Sequence, residues 1–321
     1  MEQFALALKT LGHTDRLRIL ALLSQGELTV SELVQILGLS QPRVTQYIKS
    51  LEGAGLIERL REGSWVFSRL RRNNVALSAL VATTLATLPQ DDPTLAADRK
   101  RLEDVRQERS KLAEAFFAEV ANDRSQLGNE YLPQADIERA ILNAAGEGPF
   151  ELIVDLGTGT GRMLELFADR VARGVGVDSS SDMLKIARHA LLSDETRHLQ
   201  VRQGDLHATP IAAHSANLVT MHQVLHYLDD PQEAVHEAAR LLDDNGAMLI
   251  IDFTAHQEES FRANYAHRRL GFSDSEIAQL FEEAGLTLDG VKTIESRGAN
   301  IPAVKIWKGI KTASQNDRNI A

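Results

Sequence analysis

The sequence predicts an α/β chain in two parts: a helical head with a hairpin wing, then an open, doubly wound sheet domain. Three observations carry that prediction. In residues 151–161, Glu-Leu-Ile-Val-Asp-Leu-Gly-Thr-Gly-Thr-Gly, a short apolar run gives way to an acid and three alternate glycines. Near the N-terminus, two short helix-period runs are separated by Gly38-Leu39-Ser40. The chain has 321 residues, 43% of them apolar, which is enough for about two domains with their own cores.

Composition narrows the classes. The net charge of −10 hides an asymmetry, with 10 Lys/Arg against 7 Asp/Glu in residues 1–88 and 25 against 38 in residues 89–321. A nucleic-acid partner therefore suits the head and not the acidic remainder. With no cysteine, the chain has neither disulfides nor thiolate metal sites. No apolar run is long enough to span a bilayer, and Lys9, Thr10 and Gly12 interrupt the first one, so neither a membrane partner nor a signal peptide is expected. The expected compartment is the cytoplasm.

In chain order, Phe4, Leu6, Leu8 and Leu11 open a first helix, and Asp15 is a suitable N-cap for Leu17 to Leu23. After Gly26 a helix is predicted over Thr29–Leu37. Ser40 then caps Gln41–Leu51, with Pro42 in the first turn where its missing N–H costs nothing. Two short helices joined by a Gly-containing turn form a helix-turn-helix. Val44, Ile48 and Leu51 share one face for packing. Ser40, Gln41, Arg43, Thr45, Gln46, Tyr47 and Lys49 are the candidate DNA contacts of the second helix. Glu58 to Ser68 reads as a hairpin turning at Glu62-Gly63, a basic wing that adds Arg59 and Arg61. Arg69, Arg71 and Arg72 are either a solvated end of this domain or phosphate contacts.

Residues 4–80, through LSQPRVTQYIKSLEGAGLIERLREGSWVFSRL, resemble the winged-helix repressors of the ArsR type. That resemblance implies a homodimer bound to a palindromic operator on double-stranded DNA. Metal-sensing members carry E-L-C-V-C-D-L before the turn. Here Glu27-Leu-Thr-Val-Ser-Glu-Leu33 puts Thr29 and Ser31 in place of both cysteines, so no metal site is expected there.

Pro89 to Pro93 reads as a polar linker, followed by a charged helix from about Leu95 to Ala121. Leu95, Leu102, Arg109 and Phe116 recur every seven residues, with Val105 and Leu112 at the other seam position. The helix is either a connector packed on its own domain or a dimer-spanning element. The expected division is a winged helix-turn-helix domain at 1–88, linker and connecting helix at 89–122, a ligand-binding domain at 123–310 and a polar tail at 311–321.

In the second part, Leu152 to Val154 is a buried-type strand, and Gly157, Gly159 and Gly161 open a helix through Phe167. Glycine allows the tight turn and the close approach of a ligand, and the helix start offers N–H groups to an anion. A dinucleotide fingerprint G-x-G-x-x-G would need glycine where Arg162 stands. A second strand, Val175-Gly-Val-Asp178, ends in an acid seventeen residues after Gly161, able to accept both ribose hydroxyls. A helix over Ser179–Ala190, a strand at Leu199–Gln203 ending in Gly204-Asp205-Leu206, and a strand at Asn217–Met221 follow. Next come a helix opening at Pro231, a strand at Met248–Phe253, a helix over Asp274–Ala284, and strands at Leu286–Glu295 and Val304–Lys308.

The pattern D-x-G-x-G-x-G with these spaced acids resembles the class I S-adenosylmethionine (SAM) methyltransferases, a Rossmann-like seven-stranded fold. The resemblance implies that SAM or its product S-adenosylhomocysteine (SAH) is held by Asp155, Gly157, Thr158, Gly159, Gly161, Asp178, Ser179, Met183, Gly204, Asp205, Leu206 and His222. It also implies a lid, from Phe116, Phe117 or Tyr131. His222 and His226 lie past the fourth strand, at the carboxyl edge where ligands bind. Each is either a general base or a lining residue, and His256 and His267 stand at no metal-ligand spacing with an acid.

Two functions fit. One is a transcriptional regulator whose methyltransferase-like domain binds SAM or SAH as effector. The other is a working SAM-dependent methyltransferase of an unknown small-molecule acceptor that autoregulates its operon. Arsenite as acceptor is not expected, because enzymes of that kind use cysteine thiolates.

Overall fold

A computed structural model of the chain describes residues 1–62, 65–71, 74–89, 91–122, 134–296 and 301–312, with the backbone alone at 110, 112–122 and 194. Outside the described residues lie the side chains of Phe116 and Phe117, Tyr131, Gly63 of the expected hairpin turn, Arg72 and the tail from 313. The chain divides into two compact units, Met1–Ala113 and Glu114–Ala321. Among the described residues no helix is long and apolar enough to cross a membrane.

The first unit runs α1 (Glu2–Leu11), α2 (Thr14–Leu23), β1 (Leu28–Thr29), α3 (Val30–Leu37), α4 (Gln41–Gly53), β2 (Ile57–Glu62), β3 (Trp65–Leu70) and α5 (Val75–Ala86). The long helix α6 (Pro93–Asn122) begins here and crosses the division. Leu20, Leu33, Ile36, Val44, Ile48 and Leu51 belong to one buried core shared by α2, α3 and α4, with Val44, Ile48 and Leu51 on the face their spacing predicts. Thr29 and Glu32 exchange the reciprocal hydrogen bonds of a capping box, and Gly38 closes α3 in the left-handed region at φ +66°. The cap of α2 differs from expectation. His13 holds the N-cap position, its Nδ1 accepting from the Asp15 N–H at 3.2 Å. Asp15 sits within the first turn, where its carboxylate meets Arg18 instead.

Two further features were not anticipated. β1 adds a short antiparallel strand to the wing, in the order β1-β3-β2. Helix α5 carries no charged residue, and only Leu77 and Val81 of its apolar side chains are buried. The first half of α6 packs on the head, with Leu102 and Val105 inside its core. Asp98 adds a buried ion pair to Arg18 at 2.6 Å. Leu102 and Val105 thus serve the head's own core, as the connector reading has it.

The second unit runs α7 (Gln134–Ala145), β4 (Phe150–Leu156), α8 (Arg162–Phe167), β5 (Val171–Asp178), α9 (Ser181–Ala190), β6 (Leu199–Gln203), β7 (Ala216–His222) and α10 (Pro231–Leu241). It closes with β8 (Leu242–Phe253), α11 (Ser260–Tyr265), α12 (Asp274–Glu283), β9 (Leu286–Ile294) and β10 (Val304–Lys311). The seven strands form one sheet in the order β6-β5-β4-β7-β8-β10-β9. Pairing is parallel from β6 to β8, and β10 runs antiparallel to both β8 and β9. Side chains alternate between the faces: Leu152, Val154 and Leu156 enter one core, and Ile153 enters the other with Met163, Phe167 and Leu249. Strand order reverses between β4 and β7, so the crevice for a ligand opens at their carboxyl ends.

Candidate functional site

At that crevice two neighbours fix the glycine loop. Gly157 (φ +76°) lies so close to Val224 that a Cβ would sit 2.3 Å from its methyl. Gly161 (φ +85°) presses on Ala187 of α9. Gly159 (φ +51°) faces open space, with nothing within 4 Å of where a Cβ would stand. Two of the glycines therefore shape the loop, and the middle one has open space on the side where a side chain would stand.

The loop brings the first two acids together in different ways. Asp155 is buried at the end of β4, and its Oδ1 accepts from Thr220 Oγ1 at 2.6 Å. Burial pushes its carboxyl up to about 6 against the pull of that hydrogen bond. Asp155, expected at the ligand, is thus placed inside the sheet, 1% exposed. Asp178 ends β5 half-buried, its two oxygens accepting from the Gly159 and Ser180 N–H groups, both at 2.8 Å. Burial outweighs these hydrogen bonds and raises its pKa. The carboxylate keeps lone-pair capacity for a hydroxyl donor.

The expected anion site at the start of α8 is weaker than predicted. Gly157 and Thr158 donate their N–H groups to Val177 O, Gly159 donates to Asp178, and Gly161 donates to Thr158 O. The helix itself is only six residues long. Arg162, which breaks the dinucleotide fingerprint, has a structural task of its own. Its Nε and Nη2 both donate to the Glu138 carboxylate of α7 at 2.8 Å.

Of the remaining expected contacts, Ser179 is exposed, while Thr158, Met183 and Leu206 are buried, Leu206 in the sheet core. Gly204 joins its N–H to Asp178 O at 3.0 Å, which draws the end of β6 to the same rim. Asp205 is exposed and accepts from the His207 backbone N–H at 2.9 Å, with the ring Nδ1 also at 2.7 Å. These hydrogen bonds outweigh burial and hold its carboxyl below the usual range.

Past β7 lies a group the sequence reading saw only in part. His226 is 1% exposed, and its Nδ1 stands 2.6 Å from Oδ1 of the fully buried Asp252 at the end of β8. Its ring stacks on His267 with centroids 3.9 Å apart, and His256 joins through Phe253 and Phe261. Arg268 and Arg269 both donate backbone N–H groups to His226 O at 3.0 Å, which lays the His267–Phe272 segment over this end of the sheet. Burial lowers His222 to about 4 and His256 to about 4, and depresses His267 further, so all three are neutral. Asp252 was missed. Its signal was an acid inside the apolar run Met248–Phe253, since a buried carboxylate requires a partner. Among the described residues no group of three or more His, Asp or Glu is arranged to hold a metal.

In the head, Ser40, Gln41, Arg43, Gln46 and Lys49 are exposed and Thr45 is half-buried. Gln41, Pro42, Thr45, Gln46 and Lys49 line an open depression on the outer face of α4. Tyr47 corrects its expectation. It is 8% exposed, and its hydroxyl donates to Asp15 Oδ2 at 3.0 Å, so it belongs to the packing face. On the wing, Arg61 is exposed, and Arg59 pairs with Glu52 at 2.6 Å.

Residues 13–59 match the family model of bacterial regulatory proteins of the arsR family, and residues 154–250 match that of a methyltransferase domain. A biofilm growth-associated repressor of Agrobacterium fabrum is 38% identical over 74 residues, covering 23% of this chain and 63% of its own. A demethylmenaquinone methyltransferase of Renibacterium salmoninarum is 28% identical over 154 residues, covering 47% of this chain and 62% of its own. The chain spans less than two thirds of the length of either relative. Among solved structures, a chain from the complex between the Haloferax volcanii Trm112 methyltransferase activator and a methyltransferase aligns with a TM-score of 0.51 at 24% identity. That alignment covers 62% of this chain and 98% of the other. The [4+2]-cyclase SpnF aligns at 0.50 and 14% identity, covering 56% of this chain and 81% of its own. At such identities the likeness shows the fold.

Proposed function

Because the chain joins an ArsR-family helix-turn-helix to a methyltransferase domain, we propose that it is a transcriptional regulator whose second unit binds SAM or SAH as effector. The observation that carries the ligand is the open space beside Gly159, whose N–H is held by Asp178, at the point where strand order reverses. The carboxylate of Asp178 suits two ribose hydroxyls, and Asp205 suits an exocyclic amine. The neutral His222 at the end of β7 is a wall for the sulfur end. On the head, Phe4, Leu6 and Leu8 stand 39–50% exposed on α1, and the charge-free α5 adds a second apolar surface. Those surfaces support a homodimer on a palindromic operator.

An effector acts only if it binds the DNA-competent and DNA-incompetent forms with different affinity. SAM and SAH differ by a methyl group and the positive charge on sulfur, so discrimination must occur next to that sulfur. A coupling of about 1–3 kcal/mol would change operator affinity roughly 5- to 150-fold. The test is operator affinity by fluorescence anisotropy without ligand, with SAM and with SAH, at one salt concentration. SAH is expected to shift the curve most, and three coincident curves refute sensing.

A working methyltransferase is the second reading, and one observation favours it. Asp252 holds Nδ1 of His226, while Nε2 meets no partner among the described residues. A histidine fixed by a carboxylate in this way is equipped to take a proton from an acceptor. The fold does not decide the reaction. Release of SAH from SAM in the presence of small O–H and N–H acceptors would establish turnover.

A further inference from the structure

The outer face of α4 presents Arg43 with its side chain 54% exposed, yet two neighbours hold the guanidinium. Arg43 Nε donates to Tyr47 Oη at 2.9 Å, and its Nη2 lies 3.2 Å from Asp15 Oδ2. Tyr47, in turn, donates its own proton to that same oxygen at 3.0 Å. The His13 ring packs 4.8 Å from the phenol, which keeps it in place.

The second oxygen of Asp15 accepts from Arg18 Nη1 at 3.0 Å. Arg18 then turns to α6, giving Nε to Asp98 Oδ2 at 2.6 Å and Nη2 to Asp98 Oδ1 at 2.8 Å. Nη2 also reaches Leu37 O at 3.1 Å, at the end of α3. Arg18 and Asp98 are both buried. Burial works to raise the Asp15 carboxyl, but Tyr47, Arg18 and Arg43 outweigh it and hold it below the usual range. An unbroken series of charged and hydroxyl contacts therefore runs from α6 to the surface of α4.

A guanidinium carries five N–H groups. The two engaged here leave the paired N–H groups of Nη1 and Nη2 at its tip, the fork that reads O6 and N7 of guanine. We propose that Asp15 and Tyr47 are positioning residues that hold Arg43 for a guanine in each half-site. Asp98 of α6, acting through Arg18, sets where Asp15 stands. This inference rests on the reading of α4 as the base-facing helix. A free arginine must give up rotamer freedom on docking, whereas a held one has already done so. The gain appears as discrimination between sequences. Attraction to phosphate is set elsewhere, by the exposed cations.

The experiment uses the full chain. Wild type selects a duplex from a randomised double-stranded library, and anisotropy at fixed salt gives the ratio of its affinities for that duplex and for random duplex. Arg43→Ala is expected to relax the preference at one base pair per half-site. Tyr47→Phe, Asp15→Asn and Asp98→Asn should each lower the ratio by about tenfold, within the range of one bidentate base contact. They should leave the salt slope unchanged and have no further effect in an Arg43→Ala background. Tyr47→Phe keeps the ring packed, so it remains decisive even if Asp98→Asn fails to fold. Ratios equal to wild type, or losses that persist without Arg43, overturn the proposal alone. A wild-type chain that selects no duplex overturns the DNA-binding reading and the proposal with it.

Discussion

Replacing Gly157 and Gly159 one at a time by alanine separates the loop's packing from its ligand face. Both have φ in the left-handed region, so alanine costs roughly 1–2 kcal/mol of strain at either position. At Gly157 the new methyl would also stand 2.3 Å from the buried Val224, an overpacking that adds about 1–3 kcal/mol. The total for Gly157→Ala is about 2–5 kcal/mol, or roughly 5–15 °C for a unit of this size. Gly159→Ala meets nothing and should melt only a few degrees lower. Its methyl would enter the open space assigned above to SAM or SAH, and SAH affinity should fall at least tenfold, about 1.4 kcal/mol. Scanning calorimetry and titration of SAH into each variant measure both quantities. Wild-type SAH affinity in Gly159→Ala would refute the assignment of the open face to ligand.

Three other outcomes are expected. Asp178→Ala should weaken SAH by about 1.5–3 kcal/mol, ten- to a hundredfold, and unchanged calorimetric affinity would remove the ribose assignment. Arg61→Ala should weaken binding to all duplexes and lower the salt slope by about one unit, and an unaltered slope would exclude a phosphate contact from the wing. Burial holds His222 near 4 in the folded chain against 6.5 when exposed, so its contribution is complete above pH 6.5 and lost as pH falls toward 4. His222→Gln should remove a slope of up to about 1.4 kcal/mol per pH unit from the urea stability curve in that window. Parallel curves for variant and wild type would show that His222 is not buried neutral.

What was legible in the sequence followed from pattern and punctuation. Leu152–Val154, Gly157–Gly161 and Asp178 announce a strand, a tight turn and a strand-end acid within one stretch of chain, and all seven strands lie where runs of that kind predict them. Boundaries were less so. β8 begins at Leu242, not Met248, because Leu242 pairs with Ala216 across an irregularity in register. Helix α5 escaped notice since Val75–Ala86 lacks both charge and a polar face, leaving no period to read. Contacts between distant residues were hidden altogether. Asp252 and His226 are separated by 26 positions, Asp98 and Arg18 by 80, and only the fold shows that each acid has its partner.

The division of the chain at Ala113 bears on which fragments can exist alone. A head cut at residue 88, just before the polar linker, would lose Leu102, Val105 and Asp98 together. Its apolar interior would open on one side, and Arg18 would keep a buried charge without its bidentate partner, a loss of about 3–5 kcal/mol for such pairs. That is a large part of the stability a domain of this size possesses. A fragment ending near residue 113 keeps all three side chains. The helix behind that apparent spacer is thus, over its first half, a structural part of the head, and a segment grafted behind residue 88 would inherit an incomplete fold.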